Sequence, residues 1–211
     1  ILPIYAYARK QMALNGNPGQ WGMDKPEPET IRQDIELGRL FLIETEPQAN
    51  TEELTASARQ IAGVFAFQIG EDPTYQSIQG RWLNDLPYGV IHRIASAGSQ
   101  KGILAECLNF CNTLIGNLRI DTHENNFVMR HLLEKNGFLE CGMIHVEDGI
   151  APSALYVPVS GIFSYLESKY PGNLPGGSCQ SFGICLRFGF YQKQSASTAQ
   201  KNLAKEHPGR A

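Results

Sequence analysis

Apolar positions near the start of the chain recur at helical spacing and then change to strand spacing. Ile1, Tyr5, Ala8 and Met12 lie on one helix face, and Asn15-Gly16-Asn17-Pro18-Gly19 stops that helix with turn-forming residues. Pro26 and Pro28 introduce a second helix over 29–37, which Gly38 closes as a C-terminal glycine does. Leu40–Glu44 reads as a short apolar strand, and polar residues 46–58 as a loop with a short helical piece. Ile61–Ile69 is rich in β-branched and aromatic residues between polar turns, which predicts a strand. Residues 70–86 form a long loop carrying Tyr75 and Trp82. A strand over 90–95 follows, then a small-residue turn from Gly98 to Gly102. Ile103, Leu104, Cys107, Leu108, Cys111 and Ile115 make one face of a helix over 103–115. Residues 118–121 predict a strand, and 126–136 a helix with Gly137 just past its end. Two closing strands, 139–146 and 154–157, flank a turn at Glu147-Asp148-Gly149. The order α-α-β-β-β-α-β-α-β-β is that of a mixed α/β sheet, without an internal repeat.

The last quarter of the chain is of another kind. A Pro/Gly-rich linker runs from Pro171 to Gly177. Beyond it Phe182, Ile184, Leu186, Phe188 and Phe190 alternate with Gly183, Cys185, Arg187, Gly189 and Tyr191, the pattern of a half-buried strand over 181–191. Such a strand must pair with the main sheet or with another chain, because an unpaired apolar edge aggregates. The polar residues 194–211 are expected to be disordered. The division expected is therefore 1–158 as the folded domain and 159–211 as an extension.

Charge follows the same division. The net charge is −3, of which residues 160–211 contribute +4, leaving −7 for 1–159. The total gives no reason to expect a nucleic-acid partner. With 42% hydrophobic and 18% charged residues the chain can bury a sizeable core. Five cysteines, odd in number and without a C-x-x-C pair, suggest neither a disulfide framework nor a zinc site; they read as free thiols in a reducing cytoplasm. No apolar run is long enough to span a bilayer.

The unit with chemical promise is strand 90–95, the glycine turn and the helix from Ile103. A helix start presents unpaired backbone N–H groups and the positive end of the dipole, and glycine lets a phosphate approach them. The turn carries no Walker lysine pattern and no G-x-G-x-x-G, so an ordinary β-turn-α connection accounts for it equally well.

The segment Asn126–x-x–Met129–x-x–Leu132-Leu133-Glu134-Lys135-Asn136-Gly137-Phe138 resembles the closing helix of GNAT acyltransferases, which runs from an Asn to a Gly-Phe pair at this spacing. Tyr88-Gly-Val-Ile-His-Arg-Ile-Ala, the S-Q-K-G-I turn, D-T-H-E-N-N, C-G-M-I, Gln20-Trp21-Gly22 and P-E-P-E-T-I-R-Q-D-I are similar to one bacterial branch of that superfamily, across about residues 1–158. The resemblance implies a mixed, mostly antiparallel sheet flanked by helices, with a splayed parallel pair formed by 90–95 and 118–121, and a first strand ahead of Ile1. It implies acetyl-CoA, or another acyl-CoA, as cofactor. The pantetheine arm would lie in the splay against backbone groups of Arg93, Ile94 and Ala95. The pyrophosphate would sit on the backbone of Gln100, Lys101, Gly102, Ile103 and Leu104. The N–H near Ile94 would polarise the thioester carbonyl, and Asn126 would stand near the thioester and pantetheine. Trp21, Tyr75 and Trp82 would face the acceptor, a small-molecule or peptide amine. Two positions depart from the family pattern: Ser99 and Leu104 bound the phosphate loop where Arg or Gln and Gly or Ala are usual. A third, Leu133, stands where the family often has the tyrosine that protonates the leaving thiolate. Water, Tyr156 or Tyr7 could serve there instead.

For the base that deprotonates the amine, His92 has a suitable intrinsic pKa, although its position equally suits a packed structural histidine. Asp121 and His123 read as loop-capping residues or as second candidates, and Glu44 and Glu71 have no assigned place. No metal is implied, and neither a nucleic-acid nor a membrane partner; a homodimer is compatible with the tail strand. The reading is of an N-acyltransferase that moves an acetyl group from acetyl-CoA to a primary amine in a ternary complex. A non-catalytic acyl-CoA-binding module and an oligomeric scaffold are the alternatives.

Overall fold

The computed structural model describes residues 1–45 and 60–144, together with the strands Ser153–Pro158 and Phe188–Phe190. The expected 46–58 loop, the 147–149 turn and most of the tail lie outside these residues.

Local chemistry explains the first elements. Helix α1, Leu2–Leu14, carries a proline in its first turn and breaks at Asn15 and the positive-φ Gly16. Helix α2, Pro28–Glu36, starts on a proline, which needs no N–H donor there. It ends with Gly38 at φ 65, where Arg39 N–H bonds Asp34 O at 2.7 Å and Gly38 N–H bonds Ile35 O at 3.1 Å. This glycine closure satisfies the last carbonyls and turns the chain into strand β1, Leu40–Glu44.

The remaining elements follow in order: β2 Ile61–Ile69, a 3₁₀ turn at Pro73–Tyr75, β3 Gln79–Gly80, β4 Gly89–Ser96, α3 Ile103–Leu114, β5 Leu118–His123, α4 Phe127–Lys135, β6 Phe138–Ile144, β7 Ser153–Pro158 and β8 Phe188–Phe190. They form one eight-stranded sheet in the order β3-β6-β7-β5-β4-β2-β1-β8. The β4–β5 pairing is parallel and the others are antiparallel. The expected mixed sheet with one parallel pair is therefore present. One strand was not expected from pattern, β3, which is too short to show alternation; β8 is the described part of the expected tail strand and pairs with β1 at the sheet edge.

The sheet separates two kinds of surroundings. On one face Phe41, Phe65, Ile91, Leu118 and Ile120 pack with Leu104, Leu108 and Cys111 of α3 and Leu133 of α4. Phe41, Phe65 and Phe110 meet at ring-centroid distances of 5.2–6.2 Å; such pairs add about 0.5–1.5 kcal/mol each beyond area burial. On the other face Leu40, Leu42, Val64 and Ala95 pack with Ile4 and Tyr5 of α1 and Ile31 of α2. Tyr75, Val90 and Ile144 form a smaller cluster with Trp82 and Tyr88 under the 70–88 loop. Among the described residues no helix is long and apolar enough to cross a membrane.

The start of α3 is pressed against β2 at a glycine. A Cβ on Gly63 would fall 2.7 Å from Ile103 Cγ2 and 3.2 Å from Ala95 O. Gly63→Ala is expected to destabilise the protein by about 1–3 kcal/mol through overpacking, read as a lower midpoint in urea or thermal unfolding. An unchanged midpoint would show that α3 can move off the sheet freely.

Candidate active site

Strand β4 leaves regular geometry at one point. The β2–β4 register runs Gln68↔Val90, Phe67↔Ile91, Ala66↔His92 and then resumes at Val64↔Ala95, so Arg93 and Ile94 together oppose Phe65. This is a one-residue bulge, and Arg93 stands in the left-handed region at φ 52, uncommon for a residue with a Cβ. On its other edge β4 pairs with β5 only at Gly89↔Leu118, Val90↔Arg119 and Ile91↔Ile120. Beyond Ile91 the parallel strands part, and β5 continues to His123 paired with β7. The backbone at 93–94 thus shares one residue of β2 and has no register partner in β5.

The bulge also resets which side chains share a face. Ile91 and Ile94 both reach the α3 face. His92 and Arg93, though adjacent, both point to the opposite one, where Arg93 makes a bidentate pair with Asp34 of α2 at 2.8–2.9 Å. Asp34 is 5% exposed, so this pair ties α2 to the bulge. The Tyr5 phenol lies beside it; burial, then the Asp34 charge, raise its pKa, while Arg93 works against them.

His92 lies where the strands separate, between two carboxylates. Its Nε2 is 2.8 Å from Asp72 Oδ2 and its Nδ1 is 3.7 Å from Asp121 Oδ1. Asp72 is fully engaged by the protein. Oδ2 also accepts from Gln68 Nε2 at 3.0 Å, and Oδ1 accepts from the Thr74 backbone N–H at 2.9 Å and from the Thr74 hydroxyl. Burial alone would push its pKa up, but the hydrogen bonds from His92 and Thr74 outweigh this and hold the carboxyl well below the usual range. An ionised Asp72 requires the proton of neutral His92 to sit on Nε2, which leaves Nδ1 as the basic atom. Asp121 in turn accepts from the Tyr75 hydroxyl at 2.7 Å. Burial first, and Asp121 second, raise the Tyr75 pKa, so this phenol stays protonated.

Asp72 is the functional residue that sequence reasoning missed. Its signal was Asp-Pro-Thr in the turn that follows β2, where an Asp side chain turns back onto the N–H two residues on. Glu71, beside it, is exposed. His123 takes the capping role open to it, its Nδ1 accepting from Asn125 N–H at 3.1 Å. Asp121 does not cap; it faces His92.

The aromatic residues expected at the acceptor side sit deeper than loop positions suggest. Tyr75 is 2% exposed, a core ring whose hydroxyl alone reaches the polar cluster. Trp82 and Tyr88 sandwich the Arg119 guanidinium, each at 3.6 Å from ring centroid to Cζ, and so pin the 70–88 loop that supplies Asp72. Trp21 packs edge-on against Tyr5 at 5.6 Å and remains half-buried.

Asn126 caps α4: its Oδ1 accepts from Met129 N–H at 3.1 Å, and its Nδ2 donates to Gln20 Oε1 at 2.8 Å. Leu133, in the expected tyrosine position, is fully buried in the core. Tyr7 packs on the phosphate-loop candidate: a Cβ at Gly98 would run into its ring. The Tyr156 side chain lies outside the described residues.

The α3 start fits an anionic group. Gly102 is its N-cap at φ 83, makes no side-chain cap bond, and has nothing within 4 Å of where a Cβ would be. The first N–H groups of a 12-residue helix are thereby left facing an open, exposed turn. Gln100, Lys101 and Gly102 form that turn, while the Ile103 and Leu104 side chains are buried beneath it and leave only backbone to a ligand. The bulged backbone at 93–94, beyond the last β4–β5 pair, and this helix start are the two backbone features of the candidate site.

A mixed sheet with one splayed parallel pair, a bulged central strand and an uncapped helix start beside the splay defines the class of GNAT-fold proteins. Among solved structures, an acetyltransferase of the GNAT family from Streptococcus agalactiae matches with a TM-score of 0.56 at 25% identity, over 75% of this chain and 87% of that one. A protein from Bordetella pertussis assigned to the same family matches with a TM-score of 0.41 at 15% identity, over 74% of this chain and 93% of that one. No family model matches, and neither does any curated protein sequence. By fold, and on the first of these structures, the chain belongs to the GNAT superfamily.

The depressed Asp72 pKa has a stability consequence. A carboxyl whose folded pKa lies below its unfolded value stabilises the fold above the unfolded pKa and loses that contribution as pH falls toward the folded one. Asp72→Asn should therefore be less stable than the parent at neutral pH, with the difference shrinking as pH drops below the ordinary carboxylate range. Urea unfolding across pH 2–7 measures this, and a difference independent of pH would remove the ionised Asp72–His92 pair.

Proposed function

We propose that the protein is an acyl-CoA-dependent N-acyltransferase that moves an acetyl or similar acyl group to a primary amine by direct attack. The observation that carries this reading is His92, set where β4 and β5 part and fixed through Nε2 to a carboxylate. A bound acyl-CoA supplies the thioester. Backbone groups at Arg93, Ile94 and Ala95 would hold its pantetheine arm, the turn from Gln100 to Leu104 its pyrophosphate, and the Ile94 N–H would polarise the carbonyl. An amine arrives protonated at neutral pH and must lose a proton to attack. His92 Nδ1 takes that proton, and Asp72 holds the ring in the needed tautomer. Gln20, which accepts from Asn126, and its neighbour Trp21 would stand on the acceptor side. The Streptococcus protein is an acetyltransferase, which supports acyl transfer as the class of reaction.

A second reading, an acyl-CoA-binding module without catalysis, is favoured by one observation: Leu133 is buried where the family often has its proton-donating tyrosine. CoA thiolate leaves readily, so the loss of that donor does not exclude turnover. Thiol release from acetyl-CoA across a panel of primary amines separates the two, and a protein that binds CoA but releases no thiol with any amine would belong to the second class.

His92→Gln is expected to lower turnover by roughly 10²–10⁴-fold and flatten the acid limb of the pH–rate profile, with CoA affinity unchanged. Wild-type turnover in that variant across pH would remove His92 as base. Gly102→Glu places a negative charge at the α3 start and should weaken CoA binding by on the order of 10–100-fold in calorimetric titration. Gly102→Asn, which tolerates the positive φ, should bind nearly as the parent does. Equal losses in both would assign the effect to backbone strain.

A further inference from the structure

The α1–α2 loop and the β5–α4 turn are joined by three side-chain amides whose orientation is set by the backbone. Met129 N–H can only donate, so the Asn126 atom it meets at 3.1 Å is Oδ1. The Asn126 amide group facing Gln20 at 2.8 Å is then Nδ2, and the Gln20 atom accepting it is Oε1. Asn17 meets the same Oε1 at 2.7 Å and must present Nδ2 to it. Its Oδ1 is thereby turned the other way, and this oxygen is buried without a hydrogen-bond partner in a residue only 3% exposed. Flipping any one amide would set like groups against each other along the chain, so the unpaired oxygen cannot be removed by reassignment.

A buried carbonyl oxygen without a donor is costly and calls for an N–H or O–H from outside the protein. We infer that Asn17 Oδ1 is part of the acceptor subsite and receives an N–H of the incoming amine. This rests on the proposed acyl transfer. Two sources of N–H would reach this region: the acceptor amine and the amides of pantetheine. Placement favours the amine. Asn17 follows α1, and α1 packs with Val64 and Ala95 on the sheet face that also carries His92 and Asp72. The amine must stand on that face to give its proton to His92 Nδ1. Asn17 and Asn126 both donate to Gln20 Oε1, so the bridge ties the α1–α2 loop to the residue expected near the thioester. Gln20 and Asn126 are positioning residues here, and Asn17 is the one that touches the ligand.

The test uses the CoA-saturated protein and two probes of equal charge: n-butylammonium, which has N–H donors, and butyltrimethylammonium, which has none. Nitrogen-15 spectra should show the Asn17 and Gln20 side-chain amide signals shifting with the first probe and not with the second. In Asn17→Leu the affinity for n-butylammonium should fall about tenfold or more while the CoA dissociation constant stays at the parent value. Equal responses to both probes would overturn the proposal in favour of charge attraction alone. Weaker CoA binding in Asn17→Leu with amine affinity unchanged would assign the oxygen to pantetheine. No change for either ligand in a folded Asn17→Leu would assign it to a buried water. Amine binding that depends on Asn17, in a protein that releases no thiol, would leave the subsite standing and remove the acyl-transfer reading instead. Should Asn17→Leu fail to fold, the two-probe spectra of the parent protein decide alone.

Discussion

One extra residue in β4 is the constraint on which the site depends. With Arg93 and Ile94 both opposite Phe65, the strand bends away from β5 after the Ile91↔Ile120 pair, and the gap between parallel strands opens there. The same residue changes the phase of the strand. His92 and Arg93 fall on one face although they are neighbours, so a candidate base and an ion pair to α2 issue from adjacent positions. A left-handed φ at a non-glycine residue costs on the order of 1–3 kcal/mol. The bidentate pair with the buried Asp34 holds it in place. Bulges that re-aim side chains at a site are a general device of sheets.

The two surfaces that meet at the gap are held by different forces. The α3 side is an apolar, aromatic-rich core, and Gly63 lets Ile103 approach the sheet closely enough to aim the helix start at the turn. The opposite side is polar and networked. There the 70–88 loop is fixed by the stacking of Trp82 and Tyr88 on Arg119, by the Asn84–Asn117 amide contact at 3.0 Å and by the β3–β6 pairing. That fixation matters because the loop delivers Asp72, and a carboxylate that orients a histidine must itself be immobile. Apolar packing thus sets where the helix start lies, and polar contacts set the chemistry of the opposite face.

The departures from the family pattern become intelligible in this setting. Ser99 and Leu104 bring no cationic side chain to the turn before α3, yet an uncapped helix start and an unobstructed glycine leave its backbone donors open. Leu133 trades a proton donor for a fully buried apolar contact between α4 and the sheet.

By itself the sequence determined nearly every regular element, because hydrophobic spacing, prolines at helix starts and glycines at helix ends are local signals. The strand at 61–69 and the helix from Ile103 were legible in this way, His92 was a candidate by its residue type, and the parallel pair and the role of Asn126 came from the resemblance alone. Only the tertiary structure decided the bulge, since nothing in Val-Ile-His-Arg-Ile-Ala marks which residue is extra. It also decided the pairing of His92 with Asp72, twenty residues earlier, and of Arg93 with Asp34, fifty-nine residues earlier. It placed Tyr75 in the core, where a loop position had suggested a pocket wall. The reason is physical: spacing along the chain reports which face a side chain takes, whereas its partner across the sheet depends on register and on where two strands stop pairing.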